Sequence, residues 1–178
     1  MKSTLRFLLA SFLLAATCVP PCSAALSEVQ MQAAYVFNFI KFVEWPADTV
    51  KAGDKIRVCM IGDDGLHASL SAFNGRKAGE YELQIMPQSL DSDDLSACHV
   101  LYIDEREQRR VVSILKSLGD APVLTISDIS GFAERGGSIG LLYRDNRMLF
   151  EVNLAATRKA RLHLSGQMLN LAANIFGR

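Results

Sequence analysis

The chain has 178 residues, with 19 basic against 19 acidic side chains, and 49% of its residues are hydrophobic. This charge balance excludes a strongly basic nucleic-acid-binding protein, and the length suits one ordinary domain with a sizeable hydrophobic core. No low-complexity tract or internal repeat interrupts the sequence.

The first residues have the pattern of a cleavable export signal. Two basic residues precede an apolar run of about ten residues at 7–16, and small residues follow it. The run is roughly half as long as a membrane-spanning helix requires. We therefore predict an exported protein with a signal peptide at 1–24, cut after Ala24 or Ala25, and one domain at 25–178.

A dense aromatic stretch at 32–45 opens the mature chain. Its aromatic residues recur at helical spacing and apolar residues fill the neighbouring faces, which predicts a helix almost surrounded by protein. Pro46 disfavours helical geometry at Trp45, so we expect the helix to end near Trp45. The stretch is either a core helix or a docking surface centred on Glu44 and Trp45, because tryptophan is enriched at interface hot spots.

Strands and helices alternate through most of the remaining chain. The predicted strands are 55–62, 81–86, 99–103, 122–126, 138–143 and 147–154. The predicted helices are about 66–73, 105–118 and 165–176, with a single helical turn at 127–134. The alternation predicts an α/β fold, a single compact domain with a mixed sheet of about six strands flanked by helices and antiparallel at one end.

Two cysteines, Cys59 and Cys98, remain after removal of the predicted signal. An even number of cysteines in an exported chain favours a disulfide, and two buried free thiols are the alternative. The C-x-x-C spacing of thiol oxidoreductases is absent from the sequence, so a redox-active pair is not expected.

The sequence lacks the usual signatures of catalysis. Gly62-Asp-Asp-Gly65 follows the first strand, where some folds bind phosphate, but its carboxylates and spacing indicate a plain turn. His67, His99 and His163 lack metal-ligand spacing. No nucleophile with a base and an orienting partner can be recognised. We therefore expect no metal, no cofactor and no enzymatic activity.

The most informative polar residues lie in and after the last predicted strand. Period-two alternation places Glu151 and Asn153 on one face, and Arg161 and His163 repeat the alternation downstream. If the two faces converge, the four side chains form a polar pocket for a small zwitterion or an ionic patch for a partner. A solvated strand edge with one weak surface ion pair is the alternative.

Six fragments, in this order, resemble the YfiR family of exported proteins across nearly the whole mature chain. They are QAAYVFNFIKFVEWP at 32–46, IRVCMIG at 56–62, CHVLYI at 98–103, LTISD at 124–128, FAERGG at 132–137 and FEVNL at 150–154. The ordered set behind an export signal is more specific than any single fragment.

The resemblance implies a periplasmic repressor that binds the sensor region of a YfiN-type inner-membrane diguanylate cyclase and keeps cyclic di-GMP synthesis low. A YfiB-like outer-membrane lipoprotein would draw the repressor away and so link envelope state to biofilm formation. The family fold is a compact α/β domain that tends to form homodimers. The alternative function is a periplasmic small-molecule sensor, in which Glu151, Arg161 and His163 bind an amino-acid-like ligand.

The resemblance also implies that Cys59 and Cys98 pair as a disulfide. The chain lacks a second cysteine pair around 138–146, so a redox switch is not expected there. Function would be thermodynamic, because tighter binding to the inactive state of the cyclase shifts its population. On this interpretation, Trp45→Ala or Glu151→Ala weakens repression and leaves the fold intact.

Overall fold

A mixed eight-stranded sheet runs through the protein, in a computed structural model that describes residues 26–62, 64–86 and 92–178. The predicted signal peptide at 1–24 lies outside the described residues. Across these three ranges, no helix is both long and apolar enough to span a bilayer. The predicted fold class, a mixed α/β domain, is confirmed.

The secondary structure comprises the following elements. The helices are α1 (Glu28–Ile40), α2 (Asp64–Ser71), α3 (Val111–Leu118), α4 (Leu154–Lys159) and α5 (Gly166–Leu169). The strands are β1 (Val43–Glu44), β2 (Lys55–Ile61), β3 (Lys77–Ala78), β4 (Tyr81–Ile85), β5 (Val100–Ile103), β6 (Leu124–Ser127), β7 (Ile139–Arg144), β8 (Arg147–Asn153), β9 (His163–Leu164) and β10 (Asn174–Phe176). Short 3₁₀ helices cover Ser92–Ala97 and Glu105–Glu107.

The large sheet has the strand order β10-β8-β7-β6-β5-β2-β4-β3. Its central strands are parallel, whereas the pairs β7–β8 and β3–β4 are antiparallel. Strands β1 and β9 form a separate antiparallel pair, which we call the β1–β9 ribbon. All six predicted strands are present, and the predicted antiparallel end is the β7–β8 hairpin.

The sheet carries a hydrophobic core on each face because its strands alternate. In β5, Val100 and Tyr102 face the first core, whereas Leu101 and Ile103 face the second. Helices α1 and α2 cover the first core, and α3 covers the second. Near-continuous burial on both faces explains why β5 reads as an unbroken apolar run.

The predicted disulfide is confirmed. Cys59 of β2 and Cys98, which precedes β5, are bonded with their Cα atoms 5.9 Å apart. Both residues are buried in the second core. The bond therefore links two neighbouring central strands that are 39 residues apart in the chain.

Helix α1 begins and ends earlier than predicted. Ser27 and Gln30 form a reciprocal capping box at its start. The helix ends at Ile40 rather than near Trp45, because the chain extends at Val43 and Glu44 to pair with β9. That pairing joins segments far apart in sequence, so local periodicity does not reveal it.

Two predicted helical segments in the middle of the chain are only partly formed. The helix predicted at 105–118 is a 3₁₀ turn followed by α3, in which Asp104 caps the turn and Gly119 ends α3. The single helical turn predicted at 127–134 is a series of turns, begun by Ser127 Oγ, which accepts a hydrogen bond from the Ile129 amide. Side-chain caps of this kind favour turns over longer helices.

The terminal helix predicted at 165–176 is wrong beyond Leu169. Ser165 caps the short helix α5, and the chain then extends as β10, parallel to β8. The amide of Ala173 donates to the carbonyl of Phe150 at 2.8 Å and starts this pairing. Ile175 and the following phenylalanine have high strand propensity, which the apolar pattern alone did not separate from a helix.

His99 is a buried neutral histidine at the amino end of β5. It is 4% exposed, and its Nδ1 accepts a hydrogen bond from the Arg57 amide at 3.0 Å. Burial, and to a lesser extent the nearby Arg57 guanidinium, lower the pKa of His99 to about 4. The folded protein therefore favours the neutral form of the His99 side chain.

We expect the protein to lose stability in acid through His99. Because the folded-state pKa lies below the ordinary value, the stabilisation is present above about pH 6.5 and is lost as the pH falls towards 4. The expected loss is about 3 kcal/mol in the free energy of unfolding, measured by urea titration between pH 7.5 and pH 4.

The matched control is His99→Asn, which keeps a hydrogen-bond acceptor but does not titrate. Its free energy of unfolding should depend less on pH over the same range. Equal pH dependence in the two proteins would contradict the assignment to His99.

Candidate functional site

The β1–β9 ribbon brings together two residues of the predicted site. Glu44 and His163 are direct cross-strand partners, and both side chains are exposed. Val43 and Leu164 form the other pair of the ribbon and are buried in the first core. The ribbon is therefore anchored by its apolar pair and presents a carboxylate beside an imidazole.

Arg161 lies at the turn that precedes β9. It has a positive φ of 57°, and its Nη1 donates to Oδ2 of Asp48 at 3.1 Å. This hydrogen bond holds the pKa of the Asp48 carboxyl below its usual range. Because both side chains are exposed, the pair contributes little to stability, and the guanidinium remains accessible to a binding partner.

Asn153 has a structural role at the end of β8. Its Oδ1 accepts a hydrogen bond from the Ala156 amide and so caps α4, and its Nδ2 donates to the Ala133 carbonyl at 2.7 Å. The residue is 8% exposed. Glu151, two residues earlier, is half-buried between β7 and β10.

The predicted four-residue pocket is not joined by contacts. Within the ranges that the structure describes, no hydrogen bond or ion pair links Glu151 or Asn153 to Arg161 or His163. The strand alternation on which the prediction rested is interrupted by α4, which separates β8 from the ribbon. A binding role for these residues stays a prediction.

Trp45 belongs to the first core and does not provide an accessible docking surface. It is 6% exposed, and its Nε1 donates to the His99 carbonyl at 3.3 Å. Its ring meets that of Tyr81 edge-on, with centroids 5.6 Å apart. Of the two residues in the predicted docking surface, only Glu44 is therefore accessible to a partner.

A second polar feature, which the sequence analysis missed, lies at the carboxyl ends of the parallel strands. Gly62, Asp104 and Asp128 directly follow β2, β5 and β6. The chain passes from β2 to β4 on one side and from β5 to β6 on the other, so the strand order reverses here. Open α/β sheets commonly bind ligands at this reversal.

A crevice of about 430 Å³ opens at that point and is strongly acidic. The carboxyl groups that line it belong to Glu28, Asp104, Glu105 and Asp128. Gln32 of α1 donates to Asp128 Oδ2 at 3.3 Å and ties the helix to the sheet. The arrangement would repel phosphate, as expected from the carboxylates of the Gly62-Asp-Asp-Gly65 segment. The interpretation of that segment as a plain turn was wrong in part, because Asp64 and Gly65 already belong to α2.

Burial, and to a lesser extent the neighbouring carboxylates of Asp104 and Glu105, raise the pKa of Asp128 to about 6. Asp104 itself accepts a hydrogen bond from Arg106 Nε at 2.8 Å. In the described part of the chain, no group of three or more His, Cys, Asp or Glu residues is arranged to hold a metal ion.

Gly62 is required where the crevice meets β2. Its φ is 117°, and a Cβ atom there would lie 2.3 Å from the Cβ of Asp104. Both conditions exclude a larger residue without a shift of the backbone. The sequence signal for the crevice was an acidic residue directly after each of two buried strands, at Asp104 and Asp128.

Comparison with known protein families gives one match over most of the chain. The model of a family described as YfiR/HmsC-like matches residues 29–173. This range begins in α1 and ends just before β10, so it contains the ribbon, the disulfide and all the carboxylates of the acidic crevice except Glu28.

Comparison with solved structures shows relatives of the fold alone. A conserved domain protein from Vibrio cholerae is 11% identical with a TM-score of 0.52, and the match covers 84% of this chain and 60% of that one. The ABC domain from Streptococcus pneumoniae, solved in complex with L-Trp, is 7% identical with a TM-score of 0.50, covering 83% and 60%. The chain thus spans about three-fifths of each of these proteins.

Proposed function

The chain belongs to the YfiR/HmsC-like family, and from this premise we propose that it represses a YfiN-type inner-membrane diguanylate cyclase by binding the periplasmic sensor region of that enzyme. The family is periplasmic and regulates cyclic di-GMP signalling without catalysing a reaction. The observation that carries the proposal is the family match over residues 29–173. A YfiB-like outer-membrane lipoprotein would relieve the repression.

Repression of this kind requires only a difference in binding free energy. A protein that binds the inactive cyclase about 100-fold more tightly than the active cyclase stabilises the inactive state by about 3 kcal/mol. That preference can lower the active fraction by up to about 100-fold when the repressor is saturating. The cyclase crosses the membrane, so binding outside can control synthesis inside.

We include the β1–β9 ribbon in the proposed contact surface. Glu44, Arg161 and His163 are exposed there, and the buried pair of Val43 and Leu164 holds their backbone in place. Exposed charges on a fixed backbone suit recognition, because little conformational freedom is lost on binding. A homodimer and an amino-acid-like ligand at Glu151, Arg161 and His163 stay predictions without a supporting contact.

Deleting the gene is expected to raise intracellular cyclic di-GMP in the source bacterium. Restoring the full-length gene should return the concentration to its original level, because the protein again reaches the periplasm. A gene that lacks residues 1–24 should fail to do so, because the protein then stays on the wrong side of the membrane. Mass spectrometry of nucleotide extracts measures the outcome.

Immunoblotting must show equal amounts of protein in the restored strains. Glu44→Ala combined with His163→Ala tests the ribbon and should leave cyclic di-GMP raised. Val112→Ala is the matched control, because this residue is 64% exposed on α3, on the opposite face of the sheet. Unchanged cyclic di-GMP after deletion would contradict the proposed function.

A further inference from the structure

An apolar groove of about 560 Å³ lies between α1, β8 and the segment around α5. We call it the α1–β8 groove. Tyr35 and Phe42 form one side, Met148 lies on β8, and Met168 and Leu171 close the groove from the carboxyl-terminal segment. Methionine side chains adapt their shape to an apolar occupant.

The walls of this groove are fixed in place. The hydroxyl of Tyr35 donates to the carbonyl of Met148 at 2.8 Å and joins α1 to β8. Phe39 packs edge-on against Tyr35 and Phe150, with ring centroids 5.8 Å and 5.0 Å apart. A preformed groove loses little conformational entropy when it is filled.

Apolar side chains remain exposed along the groove and beside it. Leu171 is 68% exposed although it stands among apolar neighbours. Tyr143, the cross-strand partner of Met148, is 39% exposed. Leu171 and the half-buried Phe42 line the same groove, and Tyr143 adjoins it through Met148, so these apolar residues are grouped rather than scattered.

The charges at one end of the groove are unbalanced. Arg144 and Arg147 are direct cross-strand partners, and like charges in that arrangement destabilise a hairpin. In the described part of the chain, neither guanidinium forms an ion pair or a side-chain hydrogen bond. Both arginines are exposed beside the apolar surface. A carboxylate supplied by an occupant would relieve the repulsion.

The form of the occupant follows from the strand pairing. Strand β8 is paired with β7 along most of its length and with β10 at 151–153. Beside the groove, at 147–150, the carbonyls of Met148 and Phe150 already accept hydrogen bonds from Tyr35 and Ala173, which leaves little backbone edge for an added strand. The groove is lined by side chains, which suits the apolar stripe of a helix. An anionic membrane fits poorly, because the carboxylates of Glu28, Glu105 and Asp128 lie beyond Met148 and Tyr143.

We propose that the α1–β8 groove binds an amphipathic helix of a partner protein, with carboxylates on that helix placed beside Arg144 and Arg147. The acidic residues of the helix lie at the arginine end of the groove. The inference deepens the proposed function, on which it rests for the identity of the partner, the periplasmic region of the cyclase.

The test measures binding of the full mature protein to the purified periplasmic region of the YfiN-type cyclase from the same bacterium. Leu171→Asp places a charge in the groove, and Arg147→Glu reverses the charge at its end. Each change should weaken binding by roughly tenfold or more. Val112→Asp is the control, because it adds the same charge at an aliphatic residue on α3 that is about as exposed as Leu171. This variant should leave affinity unchanged.

Thermal melting must show that the variants remain folded. Binding that is unaffected by both groove substitutions overturns the groove and leaves the proposed function standing. If the native protein does not bind the cyclase region, the proposed function fails. A synthetic amphipathic peptide then tests whether the groove binds a helix. The peptide carries leucines at i, i+3, i+4 and i+7 with flanking glutamates, and a lysine version serves as its control.

Even if the native protein does not bind the cyclase region, helix binding by the groove is supported when the glutamate peptide binds the native protein, does not bind Leu171→Asp, and the lysine peptide does not bind. No binding of either peptide, or equal binding of both, overturns it. A dimer in sedimentation experiments that Leu171→Asp converts to monomer would show that a second copy fills the groove. Binding to phosphatidylglycerol vesicles that requires Leu171 would assign the groove to lipid. Either of these last two results overturns the proposal.

Discussion

Replacing Trp45 with alanine is expected to lower the free energy of unfolding by about 3 to 5 kcal/mol. The substitution removes a large side chain from the first core, including its edge-on contact with Tyr81. It also removes the hydrogen bond from Nε1 to the His99 carbonyl. The change should appear as a lower urea midpoint with an unchanged denaturant dependence.

Trp45→Phe is the matched control. It keeps an aromatic ring in the core, and the His99 carbonyl still accepts a hydrogen bond from the Leu124 amide at 2.8 Å. We expect less than half the loss seen with alanine. An alanine variant as stable as the native protein would contradict the core assignment. Loss of repression in Trp45→Ala would report unfolding, so exposed Glu44 is the better probe of the contact surface.

Removing the disulfide is expected to destabilise the protein by about 4 kcal/mol on the chain-entropy model. The bond closes a loop of 39 residues between two central strands, so the unfolded chain gains freedom when it is absent. We expect the double variant Cys59→Ser, Cys98→Ser to melt roughly 10 °C lower than the native protein. Differential scanning calorimetry measures the shift.

The native protein with and without reductant provides the companion experiment. Both cysteines are 2% exposed, so the protein must be reduced in denaturant, refolded and checked by mass spectrometry. The reduced native protein should melt near the double serine variant, because both lack the bond. Equal melting temperatures for the oxidised and reduced native protein would contradict a stabilising role for the disulfide.

Sequence patterns predicted the long strands well because each carries its own evidence. The alternation in β2 reflects one face that is buried throughout and a second face that is buried only towards its carboxyl end, whereas the unbroken apolar run of β5 reflects two fully buried faces. The turn residues Asp145 and Asn146 both adopt positive φ and mark the β7–β8 hairpin. These signals lie within each segment, so they can be recognised without knowledge of the fold.

The remaining elements depend on distant partners. Strands β1 and β9 have two residues each and exist because they pair with one another across the chain. Strand β10 replaces a predicted helix because β8 offers a free edge to it. A two- or three-residue strand has no periodicity to detect, so tertiary pairing decides its conformation.

The candidate site was predictable in part. Alternation predicted that Arg161 and His163 share a face, and both side chains are exposed, but it could not predict that Glu44 would lie opposite His163. The predicted partnership of Asn153 with Arg161 did not anticipate that the asparagine caps α4. The acidic crevice draws on α1, β5 and β6, and residues so far apart in sequence meet only once the strand order is known.

The parallel pairing of the central strands also sets how the fold assembles in time. Strand β2 has no neighbour until β4 and β5 have been made, and β8 lacks its outer neighbour until the last residues form β10. Such non-local pairing slows folding compared with local hairpins or helices. Because the sheet is complete only when β10 is available, a newly made chain stays unfolded longer than a chain of local hairpins or helices would. For a protein proposed to cross a membrane before it folds, that delay favours transport.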